Sequence, residues 1–255
     1  STGELEKAAC CNLSESFSTN ATVDVNFIDA VSGAKKIQML GLDGVYVQIT
    51  QENMPLIRGI SSTFGLNYVP GTWIESIQII KGSGSVVNGF ESVTGQINLE
   101  YYKPNTAPKL HWNVHITPEG KLENNLLLAK KNGNWKSNLF THISYFNNDL
   151  DHNSDGFQDM PKLKNVNILN KWEYVGNSAY YFLFSGRALS ESRTGGKNNL
   201  LNPYLVQIDN NLFEFRSKIG SLQPNYPGKS MALQSSALSN NQKAVFGSNV
   251  YVAKQ

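Results

Sequence analysis

The residues best equipped for chemistry are Asp151, Asn153, Asp155 and Asp159, set around Gly156. Hard cations take several oxygens at once, and carboxylates at alternating positions can wrap a single ion, with a glycine supplying the sharp bend. The spacing therefore marks 151–159 as a calcium loop, Ca2+ being the one cofactor the sequence suggests. Lys162 stands where an EF-hand would place its bidentate glutamate, so the motif is the shorter kind found in extracellular proteins. The alternative is a solvated acidic loop that only turns the chain. Cys10 and Cys11 are adjacent and read either as two small buried thiols at a helix end or as a soft-metal pair, for copper. His111 and His115 share a strand face with Asn113, which makes them either polar residues of a filled interior or a metal path. His142 and His152 complete the histidines. No Ser-His-Asp constellation is visible, and Gly82-Ser83-Gly84-Ser85 lacks the Lys-Ser/Thr that completes a phosphate loop. An enzyme is not expected.

The elements that position these residues change character along the chain. The formal net charge of +2 offers no footprint for nucleic acid. Charged residues are 16% of the total, below the about one quarter of an ordinary soluble domain. No apolar run reaches the ~18–20 residues of a membrane helix, a test that barrel strands also fail because they alternate. Residues 1–104 read as a first unit of short strands and small helices, an α+β globule. A helix is expected over 5–17, strands over 23–27, 37–40, 45–49, 73–80 and 95–100, and a short helical piece over 86–89. Pro104 and Pro108 mark an extended connector.

Residues 105–255 are different. Leu110, Trp112, Val114 and Ile116 alternate with His111, Asn113, His115 and Thr117, the period of a strand with unlike solvents on its two sides. The same pattern continues through Leu139, Thr141, Ile143 and Tyr145, then Val166, Ile168 and Trp172, then Tyr180, Phe182 and Phe184. About seven such strands are expected. Several reach the ~9–11 residues that cross a bilayer when tilted. Short turns at 132–134 and 176–178 alternate with long connections at 147–164 and 191–210, and Trp and Tyr cluster near strand ends, as in antiparallel outer-membrane barrels. A soluble β-sandwich also alternates and is the competing reading.

Three segments carry a family resemblance: Ile57-Arg58-Gly59, then 71–82 with Ile74-Glu75, Ile79-Ile80 and Lys81-Gly82, then Gly95-Gln96-Ile97-Asn98-Leu99. They resemble the plug of TonB-dependent outer-membrane receptors. Gln96 replaces the second glycine of the usual exit motif, and 85–89 takes the place of the usual small-residue turn. The segment Cys10–Phe17 resembles the Bacteroidetes branch. The resemblance implies a plug followed by the first part of a transmembrane β-barrel of about 22 strands, whose remainder would lie beyond Gln255. It assigns the plug motif to Arg58, Gly59, Glu75, Lys81, Gly82 and Gly95. Arg58 and Glu75 would be charges inside a plugged pore, expected to bridge to each other or to the wall, as a lock or as an ordinary ion pair.

The implied function is import of a scarce ligand (metal chelate, siderophore, cobalamin-like molecule or metal ion) across the bacterial outer membrane by energised plug displacement. The implied partners are outer-membrane lipid, further outer-membrane proteins, and a TonB-type coupling protein reached through a segment before residue 1. The alternative is a non-transporting, receptor-fold subunit of a larger outer-membrane complex.

Overall fold

The computed structural model describes residues 13–17, 23–29, 31–85, 91–176, 180–197, 204–222 and 229–255. Among the described residues its N-terminal part holds seven strands: β1 (Asp24–Phe27), β2 (Lys35–Met39), β3 (Leu42–Asp43), β4 (Val47–Gln51), β5 (Met54–Ile57), β6 (Ile74–Lys81) and β7 (Gly95–Tyr101). They form a small β1-β2-β3 sheet and a four-stranded sheet in the order β5-β4-β7-β6. The β4 strand is buried at every position and pairs in parallel with β7, whose residues are nearly all buried too. A parallel pair needs a crossover. Here β5 and β6 fill it and flank the pair on either side. The helix expected over 5–17 is seen at Leu13–Ser16; the rest of that span, the 86–89 piece, Cys10 and Cys11 lie outside the described residues. The strand expected from Val45 begins at Val47 instead, because the Asp43 carboxylate accepts the Gly44 amide at 2.6 Å and winds Gly44–Tyr46 into a 3-10 turn.

Gly95 is set by close approach. A Cβ there would lie 2.5 Å from Met39 Cε and 2.9 Å from the Ile80 carbonyl oxygen, so only glycine lets β2 sit down on β7.

The C-terminal part is one antiparallel sheet of β8 (Leu110–Ile116), β9 (Leu122–Asn132), β10 (Trp135–Phe146), β11 (Lys162–Val175), β12 (Tyr180–Lys197), β13 (Tyr204–Leu222), β14 (Ser230–Phe246) and β15 (Asn249–Lys254), each paired with its sequence neighbour. Its two faces are inverted relative to a soluble protein. Trp112 is 65% and Phe213 62% exposed, with Val114, Ile143, Ile168 and Phe215 beside them, while Asn167 and Lys171 on the other face are 0% exposed. A contiguous apolar outer face needs an apolar solvent, and lipid outside with polar groups inside is the arrangement of a membrane barrel. The soluble sandwich is thereby set aside.

The apolar band ends partway along the long strands. On β12 it runs to Ala188, after which Ser190 and Ser192 face outward and bond to Asn211 and Asp209 of β13 at 2.9 and 2.6 Å. The 18- and 19-residue strands β12 and β13 thus continue as a polar ribbon past the lipid level. For the same reason the long loop expected at 191–210 is mostly ladder, paired as far as Lys197 with Tyr204. At the rim of the short 133–134 turn, Trp135, Trp172, Tyr174 and Phe182 form a girdle with ring centroids 5.0–6.5 Å apart. The opposite rim carries 117–121 and the long 147–161 connection.

The two parts share one core. Trp73, Ile97, Leu99 and Tyr101 of the first pack with Leu127, Phe140 and Leu169 from the inner face of the second. Trp73 meets Phe140 at 5.4 Å and Tyr101 edge-on at 6.1 Å. Burial pushes the Tyr101 phenol up to about 12.

Candidate functional site

The inner face of the sheet grips the first domain mainly by its backbone. Lys171 of β11 forms an ion pair with Glu52, at the tip of the β4–β5 hairpin. Glu52 and Asn53 both take positive φ, +52° and +65°, giving the two-residue turn that matches strand twist. Arg216 of β13 reaches the same tip, donating to the carbonyls of Gln51 at 3.3 Å and Pro55 at 3.0 Å while Glu214 accepts from its Nε at 2.8 Å. Higher up, Asn167 donates to the Tyr68 carbonyl at 2.8 Å and Arg187 donates to the same oxygen. Arg193 donates to the Ser32 carbonyl at 3.2 Å and lies over the Phe64 ring. Asn138 and Asn240 add bonds of 2.9 Å to the Tyr102 carbonyl and the Ser61 hydroxyl. Loop carbonyls buried in a closed interface need donors, and the wall supplies them.

The plug-motif charges behave differently from expectation. Among the described residues Arg58 and Glu75 pair neither with each other nor with the wall. Arg58 pairs with Glu91 of its own domain, its Nε at 2.9 Å, and Glu75 accepts from the Thr106 hydroxyl at 3.1 Å. Both sit where water competes, so neither needs the wall for solvation. Lys81 is exposed at the end of β6. Gly82 follows at φ +82° and donates its amide to the Thr94 carbonyl at 2.8 Å, while Gly59 turns the chain at φ +60°. The gripping residues went unnoticed because their partners are carbonyls, which leave no mark in a sequence. A usable signal exists nonetheless: Lys171 and Glu173, Arg187, Glu191 and Arg193, and Glu214 and Arg216 all occupy the phase opposite to the lipid-facing aromatics.

In the 147–161 connection the carboxylates face their own backbone. Asp151 accepts the amides of Asp155 at 3.2 Å and Gly156 at 2.9 Å, and Asp155 accepts that of Phe157 at 2.7 Å. Asn153 accepts the Asp155 amide at 3.2 Å. Asp159 turns to His152, taking its amide at 2.8 Å and its ring Nδ1 at 2.7 Å; these bonds hold the Asp159 carboxyl below the usual carboxylate range. Among the described residues no three His, Cys, Asp or Glu side chains converge as a metal site. His111 and His115 are half-buried on the inner face with Asn113, and His142 is buried with Nδ1 2.7 Å from Asn125 Oδ1.

A cavity of about 380 Å³ opens beside this connection, between the first domain and the wall. Gly33, Lys35 and Asn67 line it on one side, Met160 and Pro161 cover it from the loop, and Glu123, Ser144, Asn165 and Glu191 are among its wall residues.

Residues 1–96 match the TonB-dependent receptor plug domain. The match covers the first unit, and the strands after it have the fold of the antiparallel barrel strands of such receptors. Solved receptors share the fold at low identity. The ferric-catecholate import receptor Fiu from E. coli K12 aligns at 12% identity and TM-score 0.72 over 95% of this chain and 38% of its own. The siderophore receptor PiuA from Acinetobacter baumannii aligns at 13% and 0.68 over 92% and 35%, and the copper transporter OprC at 12% and 0.62 over 92% and 44%. The chain thus spans well under half the length of these receptors. A search of curated proteins by sequence found no match. Within this frame the wall donors are barrel residues holding the plug, and the cavity lies at their junction.

Proposed function

We propose that the full receptor imports a scarce, metal-bearing small molecule across the outer membrane, drawing energy from a TonB-type partner. The observation that carries this reading is the manner in which the plug is seated. Its loops hang from the wall by individual side-chain bonds to carbonyls and by the Lys171–Glu52 pair, contacts that can be broken in sequence under tension without unfolding the barrel. The junction cavity gives a ligand a place that both plug and wall touch, so that binding is sensed by the part that must move. Relatives of the same fold named for ferric catecholates, siderophores and copper support a metal-bearing cargo.

The test is growth of a bacterium on limiting metal when this receptor is its sole uptake route. Removing the segment that contacts the coupling protein should abolish growth while leaving the receptor in the outer membrane. Unchanged growth would favour a non-transporting subunit instead.

A further inference from the structure

We propose that the outer face of the sheet binds a phosphate-bearing lipid, its acyl chain in a groove over Gly186 and its headgroup on Lys164, Lys243 and Lys254. A groove of about 540 Å³ opens on that face within the apolar band. Its floor is Gly186 and Ala188 of β12. Its banks are Ile168 and Asn170 of β11 and Phe213 and Phe215 of β13, which stand in register with the floor on either side. A Cβ at Gly186 would meet nothing within 4 Å, so the floor is open. Asn170 brings no unpaired group to it: its amide donates to the Asn138 carbonyl at 3.2 Å, and its Oδ1 accepts from Trp172 Nε1. The trough is one strand wide, its banks about 10 Å apart between backbones. A helix of about 10–12 Å diameter does not enter it, whereas an extended hydrocarbon chain does.

The rows above the groove supply what a headgroup needs. One step up the strands, Ser190, Asn211 and Asn241 are exposed on the outer face, with Lys254 of β15 opposite Asn241. One step further stand Lys164, Ser192, Asp209 and Lys243. Each step is two residues, about 7 Å. Lys164, Lys243 and Lys254 are exposed, and none of them has an ion pair among the described residues. Lys162, in the row beyond, is taken by Asp149 at 2.9 Å. Asp209, the carboxylate of these rows, accepts the Ser192 hydroxyl at 2.6 Å and the Gln207 amide at 2.9 Å. Three lysines against one carboxylate leave the platform positive. Lysine stems lie along apolar surface and hold the ammonium at the membrane interface, where it attracts anionic headgroups. A soluble anion would use the lysines without the groove, and a neutral lipid the groove without the lysines. A lipid with a phosphate uses both.

The experiment is native mass spectrometry of the detergent-purified, full-length receptor titrated with dioleoyl phosphatidic acid. Two controls are titrated separately: dioleoylglycerol, which keeps the chains and lacks the phosphate, and glycerol phosphate, which keeps the phosphate and lacks the chains. Phosphatidic acid should saturate one site, and neither control should. Gly186→Val fills the groove, leaves the lysines and suits a strand. The double variant Lys164→Gln, Lys243→Gln removes charge and leaves the groove. Each should weaken phosphatidic acid by about tenfold or more, about 1.4 kcal/mol. Lys130→Gln, at an exposed position of β9 near the opposite rim, should bind as the native chain does. No saturable phosphatidic acid, equal binding of either control, full affinity in either folded variant, or an equal loss in Lys130→Gln would overturn the inference. The site lies on the lipid side of the wall, so this result is independent of what the receptor imports.

Discussion

The Glu52 carboxylate and the Lys171 ammonium meet across the plug–wall seam, joining the tip of a plug hairpin to the middle of a barrel strand. Lys171 is 1% exposed at its side chain and Glu52 12%, so neither can turn to water without moving the hairpin. Removing one partner of a buried pair leaves an uncompensated charge and costs about 3–5 kcal/mol, whereas replacing both can be near neutral. Lys171→Met should therefore speed amide exchange over 51–55 and lower the thermal midpoint. The double variant with Glu52→Gln should recover most of both. Equal behaviour of the single and double variants would show that the pair does not hold the hairpin.

Gly95 makes a second, sterically defined prediction. Adding a methyl in Gly95→Ala places carbon against Met39 Cε and the Ile80 carbonyl. The methionine tip can yield, but the backbone oxygen cannot without shifting β6. Overpacking of this kind costs about 1–3 kcal/mol. Met39→Ala, which by itself empties a buried site, should lower the thermal midpoint less in the Gly95→Ala background than in the native chain, because the added methyl takes up part of the space that the methionine tip leaves.

The lipid-facing band predicts position-dependent costs. Phe215→Arg puts a charge inside the apolar outer band, where toward the bilayer midplane about 2–4 kcal/mol is expected. Ser192→Arg, two rows beyond the end of the band on β12, should cost little. Reversible folding into lipid vesicles, read by denaturant titration, compares the two. Similar costs would mean that the apolar outer residues do not face lipid.

How much of this was legible in the residues differs by element. The strand Leu110–Ile116 could be read from its alternation, because its two faces meet unlike environments. The polar ends of β12 and β13 could not: beyond Ala188 both faces are hydrophilic, the period disappears, and only cross-strand pairing such as Ser192 with Asp209 reveals the ladder. The plug motif located Gly82 and Gly95, whose roles are backbone geometry. It misplaced the partner of Arg58, because Glu91 lies far along the chain and pairing of exposed charges is not encoded by spacing. The cavity was invisible for a related reason. Glu123, Ser144, Asn165 and Glu191 become a row only through register, which depends on turn lengths rather than on any local motif.

The 147–161 connection should respond to acid through Asp159. Its carboxyl is held below the usual range by the His152 amide and ring, so the folded form binds its proton less readily than the unfolded loop does. A depressed carboxyl contributes order that is fully present above its unfolded value, near pH 4, and is lost as pH falls through the lower folded value. Asp159 also donates its amide to the Leu150 carbonyl at 2.8 Å, so this contact closes the base of the acidic loop. Limited cleavage within 150–160 by an acid-stable protease should rise as pH drops from about 5 to 3. In Asp159→Asn the pH dependence should flatten, because no proton is taken up there. A wild-type cleavage rate that does not change across this window would remove Asp159 as the clasp of the loop.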